Sequence, residues 1–164
     1  STLDILRRAD IDTTTVSIMG RIEVKSSRGV IIQADKIFSD INYQEFDMII
    51  LPGGPGTTLL DQHEELKSHL KNYDAEGKWI AALCAAPSVL GKLNLLNGKN
   101  AVCYPGYEND LLGAKVSLNE KVVVDGNIIT SRGPGTSFDF AFKIVEVLKG
   151  SALVDELKVK MLMS

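Results

Sequence analysis

Two almost unbroken apolar runs, Phe46-Asp47-Met48-Ile49-Ile50-Leu51 and Trp79-Ile80-Ala81-Ala82-Leu83, constrain this chain more than any other feature. A strand with one wet face alternates apolar and polar residues, and these runs do not. They are predicted to be strands covered on both faces, as in a parallel sheet between two helix layers. Between them, Leu59, Leu60, Leu66 and Leu70 recur among charges from Thr58 to Lys71, a spacing that predicts one amphipathic helix. The alternation continues along the chain. Ser1 to Ala9 reads as a capped helix with Asp4 near its positive end, and Thr13 to Met19 as a β-branched strand. The run from Gly29 to Ile32 follows a polar turn and suggests a short β excursion. Helices are expected over Pro87–Leu96, Phe138–Leu148 and Leu153–Met163, with short strands near 101–102, 115–117, 121–124 and 127–130. This order predicts a doubly wound, mostly parallel α/β sheet with helices on both faces.

No internal repeat, low-complexity tract or linker interrupts the pattern, so residues 1–164 are read as a single domain. One feature is unusual. Such sheets begin with a strand, and this chain begins inside a helix without an initiator Met, so we expect a first strand to precede Ser1. Formal charge is −3, from 18 basic and 21 acidic side chains, which gives no electrostatic footprint for nucleic acid or an anionic membrane. No apolar run approaches the roughly 18 residues that a membrane span needs. Two cysteines make no disulfide framework and fit a reducing cytoplasm, where a reactive thiol persists.

One of those thiols stands at an informative place. The second apolar run ends in Leu83-Cys84-Ala85-Ala86-Pro87-Ser88, a strand feeding a helix through small residues. A turn that sharp holds its central residue in a strained conformation and sets the sulfur near a helix start, where thiolate is favoured. Gly53 and Gly54, in the Pro52-Gly53-Gly54-Pro55-Gly56 loop after the first run, could bring backbone N–H groups close to an oxyanion, together with the N–H of Ala85. The competing reading is that Cys84 is a small buried hydrophobe. Cys103 fits packing better than a resolving role. His63 and His69 are six residues apart and do not form an i, i+4 metal pair, so we read both as surface residues and expect no metal. Gly133-Pro134-Gly135 lacks the P-loop pattern and reads as a helix start with Pro in the first turn. Glu45, Glu108 and Asp110 read as solvated loop charges.

Three segments together resemble one family. Leu51-Pro52-Gly53-Gly54, the Ala81 to Pro87 elbow and Thr130-Ser131-Arg132-Gly133-Pro134-Gly135-Thr136-Ser137-Phe138 are similar to the ThiJ/PfpI superfamily, in the branch named for the parkinsonism-associated deglycase. Leu3 to Ala9 and Ser26-Ser27-Arg28 fit the same branch, so the resemblance covers nearly the whole chain. It implies a flavodoxin-like homodimer that uses no cofactor. It also implies action on glyoxals and early glycation adducts, with a cysteine that oxidises readily. By that match Cys84 is the nucleophile, Gly53, Gly54 and Ala85 are backbone donors, and Arg28, Tyr104, Arg132 and Pro134 lie near the site or dimer interface.

The chain departs from the family in three ways. The family's acidic partner of the cysteine falls before Ser1. Tyr104 stands before Pro105 where many relatives have His. Ala85 replaces the peptidase branch's His, and Ala82, Ala86 and Ser88 break the amidotransferase pattern. Two functions follow as expectations. One is a cysteine-dependent glyoxalase or deglycase acting on small reactive aldehydes or glycated substrates. The other is a non-enzymatic sensor or chaperone that responds through Cys84 oxidation.

Overall fold

The apolar runs pair with one another in the computed structural model, which describes residues 1–163. In chain order the elements are helix α1 (Thr2–Arg8), strands β1 (Val16–Ser17), β2 (Glu23–Lys25), β3 (Ile31–Gln33), β4 (Lys36–Ile37) and β5 (Met48–Leu51), and helices α2 (Thr57–Gln62) and α3 (Glu64–Ala75). The second half holds β6 (Trp79–Leu83), α4 (Pro87–Lys92), β7 (Asn100–Ala101), β8 (Lys115–Val116), β9 (Val122–Asp125), β10 (Ile128–Ser131), α5 (Ser137–Lys149) and α6 (Ser151–Lys160).

The central sheet has the order β5-β6-β10-β9. β5, β6 and β10 run parallel, and β9 joins antiparallel through a tight turn in which Gly126 supplies the positive φ of +59°. Successive residues of β6 point to opposite faces. Ile80 and Ala82 pack with Leu66, Leu70, Val89 and Leu90, under α3 and α4. Ala81 packs with Ile5, Leu6, Ile129, Phe140 and Ile144, under α1 and α5. The result is a sheet with a helix layer on each face, the doubly wound arrangement expected from the sequence.

Several boundaries differ from expectation, each for a local reason. β5 packs on both faces, Ile49 against the cluster under α3 and α4 and Met48 and Ile50 against the one under α1 and α5, but these three are only half-buried and Leu51 alone of the four is buried. Among the described residues no strand pairs with its outer edge. The expected strand over Thr13–Met19 shrinks to Val16–Ser17, which among the described residues pairs with β4 alone. The excursion near Gly29–Ile32 becomes an exposed antiparallel hairpin of β2 and β3. Asp35 ties β1 to α1, accepting from Thr15 N and Thr15 Oγ1, each at 2.8 Å, and from Arg7 at 3.0 Å. The Thr15 bonds, helped by the Arg7 charge, hold its carboxyl below the usual carboxylate range. A depressed acid stabilises the fold above its unfolded pKa, so this tether weakens only as pH falls into strong acid.

The helix read as continuous over Thr58–Lys71 breaks at His63, whose backbone is extended. His63 Nδ1 accepts from Leu66 N at 3.2 Å and so caps α3. Its ring lies 4.3 Å from Phe38, and His69 stacks on Tyr43 at 4.1 Å. Neither histidine is the free surface residue the spacing suggested; both are half-buried in an aromatic cluster. Loss of a helix cap costs about 1 kcal/mol. His63→Ala is therefore expected to lower the urea midpoint with an unchanged m value, and His63→Asn, which can cap, to recover part of it. Helix α4 ends at Lys92, not Leu96. Leu95 N–H donates to Leu90 O at 3.0 Å and Asn94 N–H to Gly91 O at 2.9 Å, around Asn94 at φ +59°, a left-handed helix stop.

Candidate active site

Cys84 is the residue that turns β6 into α4. Its φ is +67°, a region that costs a non-glycine residue about 1–3 kcal/mol. Two bonds hold it there. Cys84 N–H donates to Ser131 O at 2.9 Å, and Tyr104 N–H donates to Cys84 O at 2.8 Å. Both partners come from distant sequence, so the elbow's small residues permit the turn while β10 and the segment after β7 enforce it. Cys84 itself remains half-exposed, whereas Ala85 and Ala86 are buried. Ser88 Oγ donates to Ala85 O at 2.7 Å and fixes the first turn beyond the thiol. With six residues, α4 has a short dipole, so the amides nearest Cys84 carry more of the local field than the helix as a whole.

The glycine loop after β5 meets this elbow. A Cβ placed on Gly53 would collide with Cys84 Cβ, lie 2.6 Å from Leu83 O and stand 3.2 Å from Cys84 Sγ. No side chain fits there, and the loop backbone can come close to the sulfur only because residue 53 is glycine. Gly54 follows at φ +93°. The N–H groups of Gly53, Gly54 and Ala85 donate to no other protein group among the described residues. The elbow thus combines a partly exposed cysteine with three amide donors uncommitted among the described residues.

The remaining candidates divide. Tyr104 lies at the site: its ring reaches within 3.2 Å of where a Gly133 Cβ would stand. Arg132 follows β10, and its N–H donates to Lys121 O at 3.3 Å. Pro134 opens an exposed 3₁₀ turn, Pro134–Thr136, that leads directly into α5. Arg28 stands apart from this group, exposed on the β2–β3 turn, and among the described residues no hydrogen bond or ion pair joins it to the Cys84 loops. Cys103 is buried, and that burial, reinforced by Glu108, pushes its thiol up to about 11 against the opposing charge of Arg132. It is a packing residue, poorly suited to act as a nucleophile near neutral pH. Glu108 is not simply solvated; it accepts from Gly106 N at 2.7 Å and closes the turn after Tyr104.

Two supporting residues escaped the sequence reading. A Cβ on Gly91 would overlap Asp110 O and lie 2.6 Å from Leu111 Cα, so this glycine lets the loop after Tyr104 pack onto α4. Lys92 then ties α4 to Asp61 of α2 at 3.0 Å and to Asp110 at 4.0 Å. A glycine inside a helix was the available signal, since it costs about 1 kcal/mol there and persists for a packing reason. Among the described residues no group of three or more His, Cys, Asp or Glu side chains could hold a metal ion. None of their helices is long and apolar enough to cross a membrane.

Comparison with known proteins fits this geometry. The DJ-1/PfpI family matches residues 1–147. The chain belongs to that family. It is 40% identical over 155 residues to Protein dj-1beta of Drosophila melanogaster, a match covering 93% of this chain and 83% of the relative. The crystal structure of Drosophila melanogaster DJ-1beta superposes with a TM-score of 0.94 at 38% identity, covering 99% of this chain and 89% of that one. Protein DJ-1 homolog B of Arabidopsis thaliana is 39% identical over 150 residues, 90% of this chain, but the chain spans only 34% of that relative's length. Two further members carry names that state an activity. A glutathione-independent glyoxalase of Caenorhabditis elegans is 37% identical over 127 residues, covering 77% of this chain and 68% of the relative. A deglycase of Pyrococcus abyssi is 32% identical over 127 residues, covering 77% and 76%.

Proposed function

We propose that this DJ-1/PfpI member protects against reactive carbonyls as a cysteine-dependent glyoxalase or deglycase, with Cys84 as nucleophile and the amides of Gly53, Gly54 and Ala85 as its oxyanion donors. The observation that carries the reading is a partly exposed Cys84, held at φ +67° beside amides that donate to no protein group among the described residues. The names of the nematode and archaeal relatives support the substrate class.

In the proposed reaction on a 2-oxoaldehyde such as methylglyoxal, the Cys84 thiolate adds to the aldehyde carbon. A C–S bond forms and the carbonyl π pair moves onto oxygen, where the amide donors meet it. A proton then passes from the former aldehyde carbon to the neighbouring carbonyl carbon, which turns the hemithioacetal into a thioester of lactate. Water cleaves the thioester and frees the thiol. The sum is one 2-oxoaldehyde plus one water giving one 2-hydroxy acid, with no net oxidant or reductant. Tyr104 stands where the family resemblance implies an imidazole in many relatives, and His63 and His69, held in the Phe38–Tyr43 cluster, take no part.

The absence of that imidazole, with Cys84 accessible, also favours a second reading in which peroxide oxidation of Cys84 is itself the function. The test is lactate formation from methylglyoxal by the wild-type protein without added glutathione. Turnover above the uncatalysed rate supports the enzyme; a protein that forms no lactate yet gains oxygen on Cys84 under mild peroxide supports the sensor.

We further propose that the protein works as a cytoplasmic homodimer. The β2–β3 hairpin supports this, exposing Ile22 at 48%, Val30 and Ile31 at 58% and Ile32 at 54%, a patch of the kind that mates with another surface. Arg28 sits on the turn of the same hairpin, which would carry it into that interface.

A further inference from the structure

β10 stays in step with β6 as far as the elbow. Ser131 pairs with Leu83, and Cys84 N–H donates to Ser131 O at 2.9 Å, so the next pair across the two strands is Cys84 with Arg132. Side chains alternate between the faces of a sheet. Thr130 turns toward β7, where its Oγ1 accepts from Val102 N at 3.0 Å. Ser131 turns the other way, its Oγ donating to Lys121 O at 2.9 Å and lying 2.7 Å from Thr136 Oγ1. Arg132 therefore shares the face of Thr130, the one that carries Cys103 and Tyr104. The pull of its charge on the Cys103 thiol agrees with that placement.

Arg132 is only partly exposed, and among the described residues it forms an ion pair with no carboxylate. The acids of the neighbouring loop are engaged elsewhere: Glu108 accepts from Gly106 N at 2.7 Å, and Asp110 lies 4.0 Å from Lys92. A guanidinium partly withdrawn from water is costly to leave without an anion, and its planar fork suits oxygen acceptors. The reaction proposed above has an oxygen to offer. The amides of Gly53, Gly54 and Ala85 meet the oxygen on the carbon that the sulfur attacks, but charge also develops on the neighbouring ketone oxygen. As the proton leaves the former aldehyde carbon, its C–H pair becomes a C=C bond and the ketone π pair moves onto oxygen. That proton then adds to the neighbouring carbon, while the hydroxyl proton of the former aldehyde oxygen passes to the other oxygen, giving the 2-hydroxy thioester.

We propose that Arg132 is a further catalytic residue of the Cys84 site, its guanidinium holding the oxygen on the carbon next to the one the sulfur attacks. The assignment deepens the reaction proposed above and rests on it for the identity of the substrate. Fixed donors aimed at a developing charge act where it appears, so Arg132 stabilises the enediolate more than the uncharged ketone. It also narrows the substrate class. A carbonyl compound with a second oxygen on the adjacent carbon engages both sets of donors, whereas a simple aldehyde engages the amides alone.

Iodoacetate and iodoacetamide test this without turnover. A thiolate attacks both at the CH₂ carbon, and on the adjacent carbon the first carries a carboxylate where the second carries a neutral amide. The ratio of their rates at Cys84, followed by peptide mass spectrometry, does not depend on how much of the thiol is ionised. Arg132→Gln is expected to lower the iodoacetate-to-iodoacetamide ratio about 10-fold or more, and Arg132→Lys by less. Lys121→Gln removes an exposed charge beside Asp139 and is expected to leave the ratio within about twofold. In methylglyoxal turnover, Arg132→Gln is expected to lower kcat by about 100-fold with a smaller change in KM, and Arg132→Lys to recover part of it. If Arg132→Gln does not fold, the wild type decides: lactate protects Cys84 from iodoacetamide at concentrations where lactamide does not. A ratio unaltered by Arg132→Gln, an equal fall in Lys121→Gln, or equal protection by lactate and lactamide overturns the assignment. A ratio that depends on Arg132 in a protein that forms no lactate keeps Arg132 as the anion-holding group and overturns only the reaction proposed around it.

Discussion

Cys84→Ala is expected to abolish lactate formation from methylglyoxal while leaving the protein folded. In the proposed reaction the three amides stabilise an oxyanion only after a nucleophile has made one, so removal of the thiol would leave them without a charge to hold. A nucleophile that acts together with its donors is worth at least about 10³-fold in turnover, far more than any single supporting contact. The structural cost is small. Alanine has the same backbone preferences as cysteine, and the bonds from Cys84 N–H to Ser131 O and from Tyr104 N–H to Cys84 O involve no side chain. Cys84→Gly sharpens the test. Glycine adopts φ +67° without strain, so that variant is expected to be as inactive as the alanine one yet more stable than wild type by about 1 kcal/mol. A gain in stability with loss of turnover marks strain kept for function; a variant of wild-type activity removes Cys84 from the mechanism.

Gly53→Ala is the second large effect. The new methyl group would meet Cys84 Cβ and the Leu83 carbonyl, and neither is the movable end of a flexible side chain. The backbone of one segment must shift, at an overpacking cost of about 1–3 kcal/mol. That shift moves the Gly53 and Gly54 amides away from the sulfur, and a displacement near 1 Å at a reacting centre costs about 100-fold in rate. We therefore expect a fall of that order in kcat/KM for methylglyoxal, with kcat carrying most of it, and a lower thermal midpoint. Gly56→Ala is the control. A Cβ there meets nothing within 4 Å, so both quantities should stay near wild type. Equal losses in the two variants would show that the loop acts only through general flexibility.

The sequence made some of this plain for physical reasons. β6 and its elbow were legible because an unbroken apolar run followed by Cys84-Ala85-Ala86-Pro87 satisfies a buried strand, a sharp turn and a helix start at once. Gly53 was legible as part of a loop, but its reason, the approach of Cys84 and Leu83 from another strand, is a tertiary fact. The same limit explains Ser131 and Tyr104, whose backbone groups pin Cys84 from β10 and the segment after β7. The break at His63 was hidden because Leu59, Leu60, Leu66 and Leu70 keep helical spacing across it, and histidine is an uncommon cap. β5 read as fully buried because Met48 to Leu51 are all apolar; both faces do pack, but composition alone does not reveal that, among the described residues, its outer edge has no neighbouring strand and its side chains stay half-buried.

The account rests on a single sulfur, so the most direct measurement is to modify it and count. Iodoacetamide is titrated against the protein, alkylation at Cys84 and Cys103 is followed separately by peptide mass spectrometry, and methylglyoxal turnover is measured in the same samples. The account predicts that Cys84, half-exposed, reacts first, that buried Cys103 stays free, and that turnover falls in direct proportion to alkylated Cys84. Undiminished turnover in protein whose Cys84 is fully alkylated would contradict it.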